Sequence, residues 1–270
     1  MKLTGIRLQF GLQDGLLKHI SEVSGGLDCG CRCASCDDRL VAKKGAVKQH
    51  HFAHACGSEC ATALETALHF AAKQILESER EIFLPAAILN FNGPYSAIQV
   101  TNSQLVGLEN VTLERKIGQI IPDVIASKNG QLLSIEIRVT HPVDSLKLQR
   151  ISELGLSTLE IDLSKVARNL TLLHLKTLVI GAGAHKKWLY NADVESKRSE
   201  MLSSGRSLPV TTGNFYNPVY GCPLWKKNTK RGEPYADLNE DCSECQHALD
   251  ISSKKVICNA VDLAYQKRLF

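Results

Sequence analysis

Between residues 60 and 80 the apolar positions recur at helical spacing, with Leu64, Leu68, Ala71, Ala72 and Ile75 forming one stripe and Pro85 ending any continuation. Glu65, His69 and Lys73 follow every four residues along the edge of that stripe, so they line up beside the core and not toward bulk solvent. Beyond it the pattern reads as strands at residues 97–100, 111–115, 120–127 and 131–139, the last alternating through Leu133, Ile135, Ile137 and Val139. Asn129-Gly130, set between the last two, is the signature of a two-residue hairpin turn. Asp144 caps a helix over residues 145–154 that stops at Gly155, and residues 157–163 return to strand, which implies a crossover onto the same sheet. The apolar run 175–180 reads as one more strand or a closing segment. The resulting order is α-β-β-β-α-β, an α/β (α+β) core with a mixed sheet.

Flanking this core, which is assigned to residues 61–184, the pattern breaks down. Residues 1–60 are Gly-rich and Cys/His-rich and too short to bury much core, so they read as a metal-stabilised module. Residues 185–221 read as a basic linker, and 222–270 carry a second cysteine group. A length of 270 residues, 44% hydrophobic, accommodates these two or three units. No stretch approaches the apolar length of a membrane span and the first residues carry no apolar leader, so a cytoplasmic protein without a membrane partner is expected.

The net charge is +4, unevenly placed: residues 185–232 hold nine Lys or Arg against Asp193, Glu195 and Glu200. That stretch either follows a phosphate backbone, with DNA the expected partner and RNA a second, or is a solvated connector. The ten cysteines avoid residues 61–221 altogether, a clustering that suits two structural zinc sites in a reducing compartment better than disulfides.

If Asn129-Gly130 is a two-residue turn, Lys128 faces Gln131, Ala126 faces Leu133 and Asp123 faces Glu136. Two carboxylates opposed in this way repel unless a cation lies between them. Hard oxygen donors with no local His or Cys favour Mg²⁺ or Mn²⁺, which binds phosphate oxygens and activates water. Those are the requirements of phosphodiester hydrolysis.

Pro122-Asp123, followed after twelve residues by Glu136-Ile137-Arg138 and then a helix and a strand, resembles the PD-(D/E)xK nuclease superfamily. The resemblance implies a core of the same α-β-β-β-α-β order, with Asp123 and Glu136 as metal ligands and Glu65 as a further ligand or orienter. It also exposes a departure, because Arg138 stands where the family usually has Lys. Arginine does not deprotonate in a protein, so Arg138 can orient water or stabilise charge but cannot be a general base. The family tolerates relocation of its lysine, and Lys147 and then Lys73 are the candidates. His69 stands to approach the phosphate or metal from the Glu65 helix, or else to pack structurally. His141, just before Pro142, shapes the strand exit.

Cys33-x2-Cys36 with His51-Phe52-Ala53-His54 offers two thiolates and two imidazoles for tetrahedral zinc, with Cys60 able to replace one histidine and Cys29, Cys31 and Cys56 as spare donors. Cys222, Cys242, Cys245 and Cys258 look like a zinc ribbon that holds Lys226, Lys227, Lys230 and Arg231 toward nucleic acid or a protein partner. From Cys33 through His51-Phe52-Ala53-His54, Glu65-x3-His69-x3-Lys73 and the two nuclease segments, the chain resembles the competence protein CoiA-like family. That resemblance implies processing of DNA or recombination. The expected function is therefore a Mg²⁺-dependent deoxyribonuclease, a homodimer if it cuts both strands. The alternative is a non-catalytic nucleic-acid-binding or zinc-dependent scaffold with a degenerate nuclease fold.

Overall fold

A computed structural model describes residues 7–58, 60–166 and 170–261; the first residues, 1–6, on which the expectation of no leader rests, lie outside the described part. The chain divides into two compact units, Met1–Pro85 with Ser103–Asn191, and Ala86–Asn102 with Ala192–Phe270. Among the described residues there are four α-helices and several small sheets, and no helix is long and apolar enough to cross a membrane.

The first unit is built on a five-stranded mixed sheet in the order Lys186–Tyr190, Thr158–Asp162, Gln131–Arg138, Val124–Lys128, Glu109–Leu113. Its central hairpin has the register expected from the turn, Lys128 against Gln131, Ala126 against Leu133 and Val124 against Ile135. Asn129 and Gly130 take positive φ of 50° and 78°, which matches the right-handed twist of the flanking strands. The strand Thr158–Asp162 lies parallel to Gln131–Arg138 after the helix Ser145–Glu153, whose first turn is capped by the Asp144 carboxylate on the Lys147 amide.

Alternation sorts the sheet into two faces. Val124, Ala126, Leu133, Ile135, Ile137, Leu159 and Ile161 pack with the helices Ala63–Glu79 and Leu172–Ile180 in the main core. Ile125 packs on the other face with Ile151 and Leu156. On that second face the central strands bury Ser134, Glu136, Thr158 and Glu160, polar groups that cost free energy unless bonded.

Three expectations are corrected. The run 175–180 is not a strand: Leu172–Ile180 is a helix, because the Thr171 hydroxyl caps the His174 amide and Leu172, Leu175 and Val179 recur at helical spacing. Residues 185–221 are not a linker, since they supply the edge strand Lys186–Tyr190, the helix Ala192–Ser204 and the strand Arg206–Pro209. The strand near residues 97–100, observed as Ile98–Thr101, leaves the core sheet and pairs with Ala87–Leu89 in the second unit.

Lys186 shows what burial on the edge strand costs. Its ammonium donates to the Gly181 carbonyl at 2.7 Å, and burial drops its pKa from 10.5 to about 7. Between those values the unfolded chain holds the proton that the folded protein lacks, so this group adds stability as pH rises from about 7 toward 10.5. Lys186→Met is therefore expected to melt several degrees higher than wild type at pH 7, with the gap closing at alkaline pH. A constant gap across that range in thermal melts contradicts this account.

The second unit, taken by itself, has a three-stranded sheet ordered Arg206–Pro209, Lys255–Cys258, Ala248–Ile251 and another ordered Pro218–Tyr220, Pro234–Asp237, Lys227–Asn228. Leu208, Val219, Ala236, Val256 and three of the four C-terminal cysteines fill its core.

Candidate functional site

Asp123 stands one residue before the strand Val124–Lys128, so the hairpin register carries it opposite Glu136. Its Oδ2 accepts the Ile137 backbone amide at 2.7 Å and the His69 Nε2 at 2.9 Å. Burial pushes this carboxyl upward, but the hydrogen bond and charge of His69, the Ile137 amide and the nearby Lys73 ammonium outweigh it and hold the pKa below the ordinary range. Asp123 is thus an ionised, oriented carboxylate.

Glu136 behaves oppositely. Its side chain is 5% exposed, and burial drives its pKa from 4.5 to about 7, with the Asp123 charge adding to the rise and Lys147 and His69 opposing it. Lys147 donates to Oε2 at 2.8 Å and to the Ile121 carbonyl at 3.0 Å. Oε1 is buried and has no hydrogen-bond partner among the described residues, which leaves it an unshared hard oxygen donor on a carboxylate that feels the Asp123 charge.

The helix Ala63–Glu79 lays its four-residue series along this end of the sheet. His69 reaches Asp123, Lys73 pairs with Glu114 at 2.5 Å, and Glu65 accepts from the Thr140 hydroxyl, just beyond the motif strand. Glu65 is therefore engaged with Thr140 and not shown on the carboxylate pair. Arg138 shares the face of Glu136 but its guanidinium holds Asp162 at 3.2 Å. Glu160 was not anticipated. Parallel register sets it beside Glu136, with Lys187 Nζ 2.9 Å from its Oε1. Acidic alternation in the strand Thr158–Asp162, with Glu160 and Asp162 on one face, was the sequence signal for it.

A second centre lies in the same unit. Ligand atoms of Cys33, Cys36, His54 and Cys60 all fall within 4.8 Å of one another, a Cys3His set compatible with structural zinc. Sulfurs on a shared tetrahedral zinc stand about 3.8 Å apart, so little adjustment closes the site. The turn after Cys33, where Asp37 returns its amide to the Cys33 carbonyl, supplies two ligands; the hairpin of Leu40–Lys43 and His51–His54 supplies His54; and Cys60 lies just before the helix Ala63–Glu79. Hydrogen bonds from Ser35 and Thr62 overcome burial and bring the Cys60 thiol down to about 7, toward the thiolate that zinc needs.

His51 is corrected out of this set. On a strand, residues three apart point to opposite faces, so His51 and His54 cannot converge, and the His51 ring instead meets the Gln49 carbonyl at 2.9 Å. Cys29 and Cys31 are buried core thiols, and burial raises Cys31 to about 12. At the other end, Cys222, Cys245 and Cys258 all lie near enough to Cys242 to raise its thiol, after burial itself, to about 12.

Compared with profiles of known protein families, with curated proteins and with solved structures, the chain matches none.

Proposed function

We propose that the protein is a Mg²⁺- or Mn²⁺-dependent nuclease of PD-(D/E)xK type that hydrolyses DNA phosphodiester bonds. The observation that carries the reading is the opposition of Asp123, ionised and oriented, to Glu136, whose buried Oε1 lacks a partner. In support, once the four strands Glu81–Leu84, Ala87–Leu89, Ile98–Thr101 and Gln104–Gly107 that lie outside the five-stranded sheet are set aside, the helix Ala63–Glu79, strands Glu109–Leu113, Val124–Lys128 and Gln131–Arg138, helix Ser145–Glu153 and strand Thr158–Asp162 run in an order similar to the α-β-β-β-α-β plan of that superfamily.

Asp123 and Glu136 would hold the divalent ion, the Ile137 carbonyl completing the set. When bound, such an ion supplies charge for a phosphate oxygen and lowers the pKa of a water. Lys147, not Arg138, is the cation bonded to Glu136, and it takes the part of the missing motif lysine. His69, bonded to Asp123, orients that carboxylate, and Arg138, paired with Asp162 on the face of Glu136, adds positive charge for a phosphodiester. Cys33, Cys36, His54 and Cys60 hold one structural zinc in this reading, and Cys222, Cys242, Cys245 and Cys258 a second.

One observation favours a non-catalytic scaffold, namely that Arg138 replaces the motif lysine and is already paired. The deciding experiment incubates purified protein with linear, circular, single-stranded and branched DNA plus Mg²⁺ or Mn²⁺, beside Asp123→Ala. Cleavage lost in the variant supports the nuclease. Cleavage that survives it, or binding without turnover on every substrate, overturns it.

A further inference from the structure

In the second unit the sheet Pro218–Tyr220, Pro234–Asp237, Lys227–Asn228 buries Val219 and Ala236 on its inner face. Its register sets Tyr220 against Tyr235 and Tyr235 against Lys227, so the outer face carries one row of two tyrosines and a lysine. Tyr216 joins them: its ring centroid is 6.3 Å from that of Tyr235, and that of Tyr220 is 6.4 Å from the same ring. The rings tilt by 40° and 44° and do not close on one another, and Tyr216 and Tyr220 remain 54% and 39% exposed. Aromatic surface left open beside a packed core marks a contact surface.

The charge around it identifies the partner. The hairpin from Lys227–Asn228 to Pro234–Asp237 is closed by Gly232 donating to the Thr229 carbonyl and Thr229 to that of Glu233, and its tip exposes Lys230 and Arg231, with exposed Lys226 at its base. Lys227 is already matched by Glu240 at 2.7 Å and Asp241 at 3.3 Å, which leaves three exposed cations. Cations flanking open tyrosine faces suit a phosphate backbone whose bases are free to stack. A duplex offers no such base faces.

We infer that Tyr216, Tyr220 and Tyr235 form a stacking platform for single-stranded nucleic acid, with Lys226, Lys230 and Arg231 contacting its phosphates. The inference deepens the reading of the protein as acting on DNA, by naming a single strand, but it does not need the carboxylate centre to turn over. Because Glu233 and Glu240 lie nearby and only three cations contribute, stacking dominates and salt dependence is shallow, with a log–log slope of about −2.

The test is fluorescence anisotropy of the full chain with labelled oligothymidylate and with a duplex of equal length, without added Mg²⁺ or Mn²⁺. Oligothymidylate is expected to bind more tightly than duplex, and Tyr235→Ala to weaken it about tenfold or more, while Tyr235→Phe, which keeps the stacking ring, restores binding. Tyr220→Ala, at an exposed position, repeats the loss without risk to the core. Equal affinity for duplex, binding untouched by both alanine variants, or no oligonucleotide binding overturns the platform. Lost platform binding with cleavage intact fails this inference alone; strand binding with no cleavage under any metal fails the nuclease alone.

Discussion

Glu136→Gln is expected to abolish Mg²⁺-dependent cleavage, a fall of about 10³-fold or more, and at the same time to make the metal-free protein more stable above neutral pH. Both effects have one cause. Burial lifts the Glu136 pKa from 4.5 to about 7, so between those values the folded protein binds a proton that the unfolded chain does not, and stability falls as pH rises through that window. At pH 8 the buried carboxylate costs on the order of 3 kcal/mol, which the amide removes. Lys147→Met acts the other way, because it takes the bonded ammonium from Oε2 and lowers stability at pH 8 while leaving pH 5 little changed. Melting curves at both pH values, with and without Mg²⁺, check this: Mg²⁺ should stabilise wild type more at pH 8 than at pH 5 and leave Glu136→Gln unmoved. A Glu136→Gln protein that melts below wild type at pH 8 contradicts the electrostatic account, and one that still cuts DNA contradicts the catalytic one.

That this pair was visible in the sequence follows from turn chemistry. Asn129-Gly130 fixes the register of the whole hairpin, because a one-residue slip would carry Val124, Ile135 and Ile137 out of the core. Lys147 was less legible: only the resemblance to a family that relocates its lysine makes it a candidate, ahead of Lys73, and its bond to Glu136 depends on how the helix Ser145–Glu153 packs on the sheet. What stayed hidden depended on long-range packing. Leu172–Ile180 is apolar enough for either element, and only its cap and its place against the helix Ala63–Glu79 decide for helix. Glu65 and Thr140 are 75 residues apart, and no local pattern joins them. The pairing of Ala87–Leu89 with Ile98–Thr101 sends a strand-like segment to the other unit by a choice of partner that periodicity does not encode. His51 is different, because strand alternation alone separates it from His54 and the sequence held that information.

The Cys3His cluster, as a zinc site, gives the second large effect. Cys36→Ser and Cys60→Ser should each lose about one zinc per chain, while His51→Ala keeps its full content. The small core above the site, formed by Ile20, Leu40 and Phe52 with Cys29, Cys31 and Cys33, is too slight to hold this segment without metal, so both serine variants should melt early and become protease-sensitive. The consequence reaches further than the module. Cys60 lies at the start of the helix Ala63–Glu79, and Ala63 donates its amide to the Cys60 carbonyl at 3.2 Å, so releasing this ligand frees the first turn of the helix that carries Glu65 and His69. His69 in turn orients Asp123. Cys60→Ser is therefore expected to weaken cleavage several-fold although the residue is not part of the carboxylate pair, and excess Mg²⁺ should restore part of the loss if Asp123 is only misoriented. Zinc analysis by mass spectrometry under native conditions, paired with the cleavage assay, separates the outcomes: unchanged zinc in Cys60→Ser removes Cys60 from the site, and lost zinc in His51→Ala returns His51 to it.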